Sequence, residues 1–256
     1  PRSTLFPYTT LFRSVIRSWD FVRKGRDWKY PVIIDNMMNL EHLCNAGSIF
    51  NDDSLKVVAV THANTTMCNH FRPDYTSWHL VDYDPESGEV RKKETVQGFS
   101  DDSAWARGQA WALYGFTMMF RESGHDSYLT QARNIADMLL SRLPEDGVPY
   151  WDLDSDKIPN DLRDASAAAI MASAFVQLST LTDDEASNAK YLAMAEKQLR
   201  TLAGPEYLAE PGTNGNFILK HCVGSLPDNS EVDVPLTYAD YYFLEALLKY
   251  KSITDK

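Results

Sequence analysis

Residues 164–181 read DASAAAIMASAFVQLSTL. Ala165, Ala167, Ala168, Ala169, Ala172 and Ala174 predict a helix whose neighbours approach its backbone closely. Small side chains permit short interhelical distances. Residues 103–123, SAWARGQAWALYGFTMMFRES, repeat the theme with Ala104, Ala106, Gly108, Ala110 and Ala112. Working outward, helical patterning also predicts segments at 35–50, 53–71, 127–143, 184–202 and 234–250. Alternate onsets fall near Asp35, Ser103, Asp164 and Asp233, with spacings of 68, 61 and 69 residues. Each carries Asp or Ser, which suits a helix N-cap. The helices between them are more polar. Such a repeat predicts stacked αα-hairpins, inner helix then outer helix. The fold class is therefore all-α: an α/α toroid, incomplete with seven helices, whose inner-helix ends surround a cleft. One β-hairpin is predicted within 77–99, around the turn Asp84-Pro85-Glu86-Ser87-Gly88.

The chain of 256 residues is 44% hydrophobic and 24% charged, which excludes collagen, coiled coil and disorder. A net charge of -11 argues against nucleic acid as a partner, because phosphate binding needs a basic footprint. No apolar run reaches the ~20 residues of a membrane span. Cys44, Cys68 and Cys222 form no disulfide framework. The stretch Thr4–Ser14, TLFPYTTLFRS, resembles the translation of a DNA-sequencing adapter. Residues 1–14 are accordingly set apart as non-native. Residues 15–256 are read as the C-terminal part of a single α/α catalytic domain whose natural beginning lies upstream.

Polar and aromatic residues gather in two places. Ser103, Arg107 and Trp111 lie at i, i+4 and i+8 of one predicted helix, with Trp105 beside them. Gln97 and His79 come just before. Aromatic faces stack on sugar rings, Arg presents a planar fork to a carboxylate, and Gln and His satisfy hydroxyls. Together the set suits an acidic sugar, whereas singly Trp105 and Trp111 read as core and Arg107 as a satisfied ion pair. Asp35 follows the apolar run YPVII. Desolvation there would raise its pKa, as a general acid requires; a plain N-cap explains the same residue equally well. His62, Cys68 and His70 share one helix, but their spacing is wrong for structural zinc, and no metal is expected.

The motifs YPVIIDNMMNL, SWHLVDYD, VQGFSDDSAWARGQAW, RDASAAAI and DVPLTYADYYFLEALL occur in that order. Their sequence resembles the unsaturated glucuronyl hydrolases of glycoside hydrolase family 88, over about Trp19 to Lys251. Family 105, the unsaturated rhamnogalacturonyl hydrolases, is the near competitor. The resemblance implies an (α/α)6 barrel with twelve helices, no cofactor and a small oligosaccharide substrate ending in a C4=C5 unsaturated uronic acid. It implies Asp35 as proton donor and water-activating carboxylate. His79, Gln97, Trp105, Arg107 and Trp111 would line the substrate site, with Ser103 a weaker carry-over. A second aspartate of the family, in an HD-containing motif about sixty residues upstream of Asp35, has no counterpart here. Three expectations follow: an open arc with an apolar flank at the Asp35 end, an Asp35 exposed enough to titrate near ~3.9, and hence a chain without turnover. A non-catalytic α/α carbohydrate-binding protein is the alternative of a different class.

Overall fold

The computed structural model describes residues 15–21, 24–182 and 184–255. The adapter-like residues 1–14 lie outside the described residues. In chain order the elements are β1 (Tyr30–Ile33), a 3₁₀ turn (Ile34–Met38), α1 (Asn39–Phe50), α2 (Asp53–Asn69), β2 (Leu80–Tyr83) and β3 (Val90–Glu94). Then come α3 (Ala106–Ser123), α4 (Asp126–Arg142), α5 (Ala165–Leu178), α6 (Glu185–Leu202), β4 (Cys222–Ser225), β5 (Ser230–Val234) and α7 (Thr237–Thr254).

The helices form two ranks. α1, α3, α5 and α7 pack in sequence as the inner row, while α2, α4 and α6 each lie behind the inner helix that precedes them. Burial explains the ranks. All of α5 except Gln177 is buried, as expected of a helix covered on every side. Its start is fixed by Asp164, whose carboxylate accepts from the Ser166 N–H. In α6 the buried positions Ser187, Tyr191, Ala195, Gln198, Leu199 and Leu202 make one face, so the helix covers the core from outside. This is the alternation that the repeat predicts.

Three features depart from the sequence expectations. The sheet is larger than one hairpin: β1 pairs antiparallel with β2, giving the order β1-β2-β3, and β4-β5 is a second hairpin. The run YPVI pairs as an edge strand because its neighbour Leu80–Tyr83 is fully buried and offers a ladder. Asp233 starts no helix. It lies in β5 with a positive φ of 54°, and α7 begins at Thr237 after Leu236. Ser103 also precedes its helix, because α3 starts at Ala106.

Large apolar side chains are exposed on the first and last helices of the inner row, Ile49 and Phe50 on α1 and Tyr241, Leu244 and Leu248 on α7, and at Val57 on α2. Among the described residues no helix is long and apolar enough to cross a membrane.

Candidate active site

Asp35 is delivered by a joint rather than a helix start. Strand β1 ends at Ile33 and the chain tightens into the 3₁₀ turn with Asp35 in its second position; the carboxylate caps no helix. Two α3 glycines make room for this turn. A Cβ on Gly108 would meet Ile34 Cγ2 at 3.3 Å, and a Cβ on Gly115 would meet Met37 Cβ at 2.6 Å. Ile34 and Met37 are fully buried on either side of the acid. The Asp35 side chain keeps 26% of its surface. Its Oδ2 is buried and accepts no hydrogen bond of normal length.

Desolvation of that oxygen pushes the Asp35 pKa from 3.8 to about 6; the Arg107 charge and the Trp111 indole N–H pull the other way without cancelling it. The expectation of an ordinary, fully ionised Asp35 on an open flank is therefore corrected. The residues that dry it, Ile34 and Met37 on one side and α3 on the other, are all present in this chain.

His79, one residue ahead of β2, faces the acid, with Nε2 3.7 Å from Asp35 Oδ2. Its tautomer is set by the backbone. The N–H groups of Val96 (3.1 Å) and Gln97 (3.2 Å) donate to Nδ1, so the ring proton resides on Nε2. The ring stacks at 4.5 Å on Trp105, which is buried. A cleft of about 370 Å³ is lined by Trp19, Phe21, Ile33, His79, Val96, Gln97, Ser225, Asp228 and Ser230. Asp35 is not among its lining residues and adjoins it through His79.

The other sequence candidates divide. Gln97 lies in the cleft wall and its amide donates to the Gly224 carbonyl at 2.9 Å. Trp111, 8% exposed, packs its ring against Tyr238 and Tyr242 and acts on Asp35 from α3. Arg107 is 3% exposed, and its fork is committed to protein: to Asp164 at 3.2 Å, to the Val223 carbonyl, and to the Gly224 carbonyl at 2.6 Å. It stacks between Trp105 and Tyr238. Thus Arg107 ties the β4-β5 hairpin to α3 and biases Asp35 by its charge. Ser103 stands apart from this group. Its hydroxyl donates to Asp152 at 2.7 Å, the carboxylate that also gathers the Phe99 and Asp154 N–H groups. Among the described residues no cluster of three His, Cys, Asp or Glu could hold a metal ion.

Trp19, Phe21, Ser225, Asp228 and Ser230 escaped the sequence reading. The last three sit around a turn, VGSLPDNSEV at 223–232, where Pro227-Asp228-Asn229 between valines is a hairpin signal. Trp19 and Phe21 belong to no periodic element, and nothing local marks them.

An inner row of helices backed by an outer row, with a desolvated carboxyl against an imidazole, defines an α/α-toroid protein. No protein-family model matches the chain. The unsaturated glucuronyl hydrolase of Formosa agariphila is 48% identical over 240 residues, which are 93% of this chain and 58% of that protein. A crystal structure of an unsaturated glucuronyl hydrolase specific for heparin superposes with a TM-score of 0.92 at 49% identity, covering 97% of this chain and 66% of that one. A variant of the Streptococcus agalactiae enzyme complexed with dGlcA-GalNAc6S is 33% identical with a TM-score of 0.75, over 86% of this chain and 59% of that one. The chain belongs to the unsaturated glucuronyl hydrolase family. It spans 58% of the length of the Formosa relative.

Proposed function

We propose that this chain carries the proton-donating half of a hydrolase for oligosaccharides ending in a C4=C5 unsaturated uronic acid, the products of polysaccharide lyases. Such a substrate is an enol ether. Protonation at C4 develops positive charge at C5, shared with the ring oxygen; water adds there, its surplus proton returns to the carboxylate, and the hemiketal opens and releases the next sugar. The anomeric carbon is not attacked, so the spacing rule for paired glycosidase carboxylates does not apply.

The observation that carries this reading is a carboxyl held at about 6 beside the cleft. Near neutral pH such a group is protonated in a useful fraction and can give its proton and take one back. His79, with its proton on Nε2, can hold the acid or a substrate oxygen. Trp19 and Phe21 offer faces to a sugar ring, and Gln97 and Ser225 offer polar contacts. The small size of the cleft fits a short oligosaccharide rather than a polymer. The dGlcA-GalNAc6S bound by the Streptococcus relative and the heparin specificity of the other relative support glycosaminoglycan fragments as the substrate class. The heparin enzyme, at 49% identity, makes unsaturated heparin disaccharides the first to try.

The test is loss of the C=C absorbance of an unsaturated disaccharide on adding the protein. In a longer chain that also carries the upstream aspartate, Asp35→Asn, nearly isosteric, should lower kcat by ~10²–10⁴ with little change in KM, while this chain by itself should show no turnover. Wild-type turnover in that variant rules Asp35 out as the donor.

A further inference from the structure

Helix α2 buries an unusual stripe for an outer helix. His62 and Thr66 on α2 and His70, the residue that caps its C-terminus, recur every four residues, each at most 1% exposed. They bind no metal cluster among the described residues, and the proposed chemistry does not use them. Their partners, however, flank the acid on both sides.

His70 directly follows α2, where the chain turns toward β2. Its Nε2 lies 3.1 Å from the carbonyl of Val32, three residues before Asp35. A carbonyl only accepts, so Nε2 carries the proton and Nδ1 the lone pair. The backbone carbonyl of the same residue accepts from the Trp78 N–H at 2.9 Å, immediately before His79. A third bond closes the frame: the Ile34 N–H donates to the His79 carbonyl at 2.9 Å. His62 works on the other side of the acid. Its Nδ1 accepts from the Ile16 N–H at 2.9 Å, and the Ile16 carbonyl accepts from Asn36 Nδ2 at 2.7 Å, one residue after Asp35.

We propose that His62 and His70 are a paired brace on α2, positioning residues that hold Asp35 from both sides and set His79 against it. The brace needs His62 neutral, since its Nδ1 must accept from Ile16; His70 has only to donate through Nε2. Burial supplies this. It pushes His62 down to about 3, helped by the nearby His70, and His70 down to about 4, helped by Lys93 and opposed by the bond to Val32. With those tautomers a buried donor remains on His62 Nε2 and a buried acceptor on His70 Nδ1, with the Thr66 hydroxyl between them in sequence. An outer helix that only covered the core would gain stability from apolar residues at these positions.

The experiment reads Asp35 directly. In the full chain, the Asp35 carboxyl is titrated by ¹³C NMR, its signal assigned by its loss in Asp35→Asn. Groups acting on it besides the brace are Arg107 from α3, Trp111 from α3 and His79 ahead of β2. His70→Leu removes the donor to Val32, lets water reach Oδ2, and should bring the Asp35 pKa down by about one pH unit toward ~3.9. His70→Gln keeps an amide N–H at the reach of Nε2 and should return the Asp35 pKa most of the way to the wild-type value. Should His70→Leu not fold, His70→Asn, whose amide falls short of Val32, takes its place in the comparison with His70→Gln. In turnover by the longer chain, kcat should fall at least tenfold in the Leu variant with KM little changed, an arm that rests on the hydrolase reading. The titration arm does not, so a protein without turnover leaves the brace testable. A folded His70→Leu or His70→Asn protein whose Asp35 still titrates within a few tenths of wild type overturns the proposal.

Discussion

Asp35 Oδ2 stands 3.7 Å from His79 Nε2, and the two residues reach that distance from the ends of two paired strands, Asp35 just after β1 and His79 just before β2. The imidazole is oriented by two backbone donors and the carboxyl by the 3₁₀ turn. Such an approach suits the proposed proton transfer, where positioning supplies much of the rate.

Asp35 makes stability depend on pH. Its folded pKa of about 6 lies above the ordinary 3.8, so the fold favours the protonated form. The associated stability is fully present below ~4 and is lost as pH rises through about 6. A rise of that size corresponds to up to ~3 kcal/mol. Asp35→Asn cannot ionise and escapes this loss. Urea unfolding at pH 4.5 and 7.5 should show the variant gaining on wild type at the higher pH. Parallel behaviour of the two proteins would contradict the raised pKa.

Arg107 and Asp164 form a buried pair, 3% and 0% exposed. Arg107→Met leaves the Asp164 carboxylate alone in the core and should cost ~3–5 kcal/mol. It also removes a positive charge acting on Asp35, whose pKa should rise further. Arg107→Lys keeps the charge but not the fork that spans Asp164, Val223 and Gly224, and should recover the Asp35 titration better than the stability. Denaturant unfolding and the carboxyl titration check the two parts separately.

Gly115 is where α3 receives the Met37 side chain. A methyl there would stand 2.6 Å from Met37 Cβ, so the 3₁₀ turn must move. Gly115→Ala gains helix propensity of under ~1 kcal/mol and incurs an overpacking cost of ~1–3 kcal/mol. We expect a net loss of stability and, in the longer chain, a disproportionate loss of kcat, because the displaced turn carries Asp35. A more stable, fully active variant would mean that the turn yields at no cost.

Ser103 distinguishes the sequence expectation from the structure. Its hydroxyl serves Asp152, a buried carboxyl whose pKa is raised first of all by desolvation. Ser103→Ala should cost ~1–2 kcal/mol by leaving that carboxylate one donor short. Affinity for an unsaturated disaccharide, measured by calorimetry, should stay at the wild-type value. A large drop in affinity with stability intact would return Ser103 to the substrate site.

The sequence by itself determined the two ranks of helices. Alanines on 165–174 serve close packing, and the polar helices between the alanine-rich ones must face outward. Helix periodicity is a local property, set by the side chains of one segment, and so it is legible. The strands were not. YPVI reads as an apolar lead-in to a helix until Leu80–Tyr83 stands beside it; β5 reads as a helix onset until a turn folds it back on β4. Strand pairing is a contact between distant segments, and sequence carries its energy only in pairs. The same division holds for the site. His79, Gln97, Arg107 and the indoles were legible as types of residue suited to an acidic sugar, and Asp35 as a general acid or a plain N-cap. Their settings came from tertiary structure: the Asp35 pKa is raised because burial keeps water from one oxygen, and Arg107 is a clamp because Asp164 and two carbonyls of β4 occupy its fork. Ser103 and Arg107 share a face on a helical wheel that the chain never forms, since α3 begins only at Ala106. Desolvation and hydrogen-bond geometry are properties of the assembled surroundings, so only the folded chain decides them.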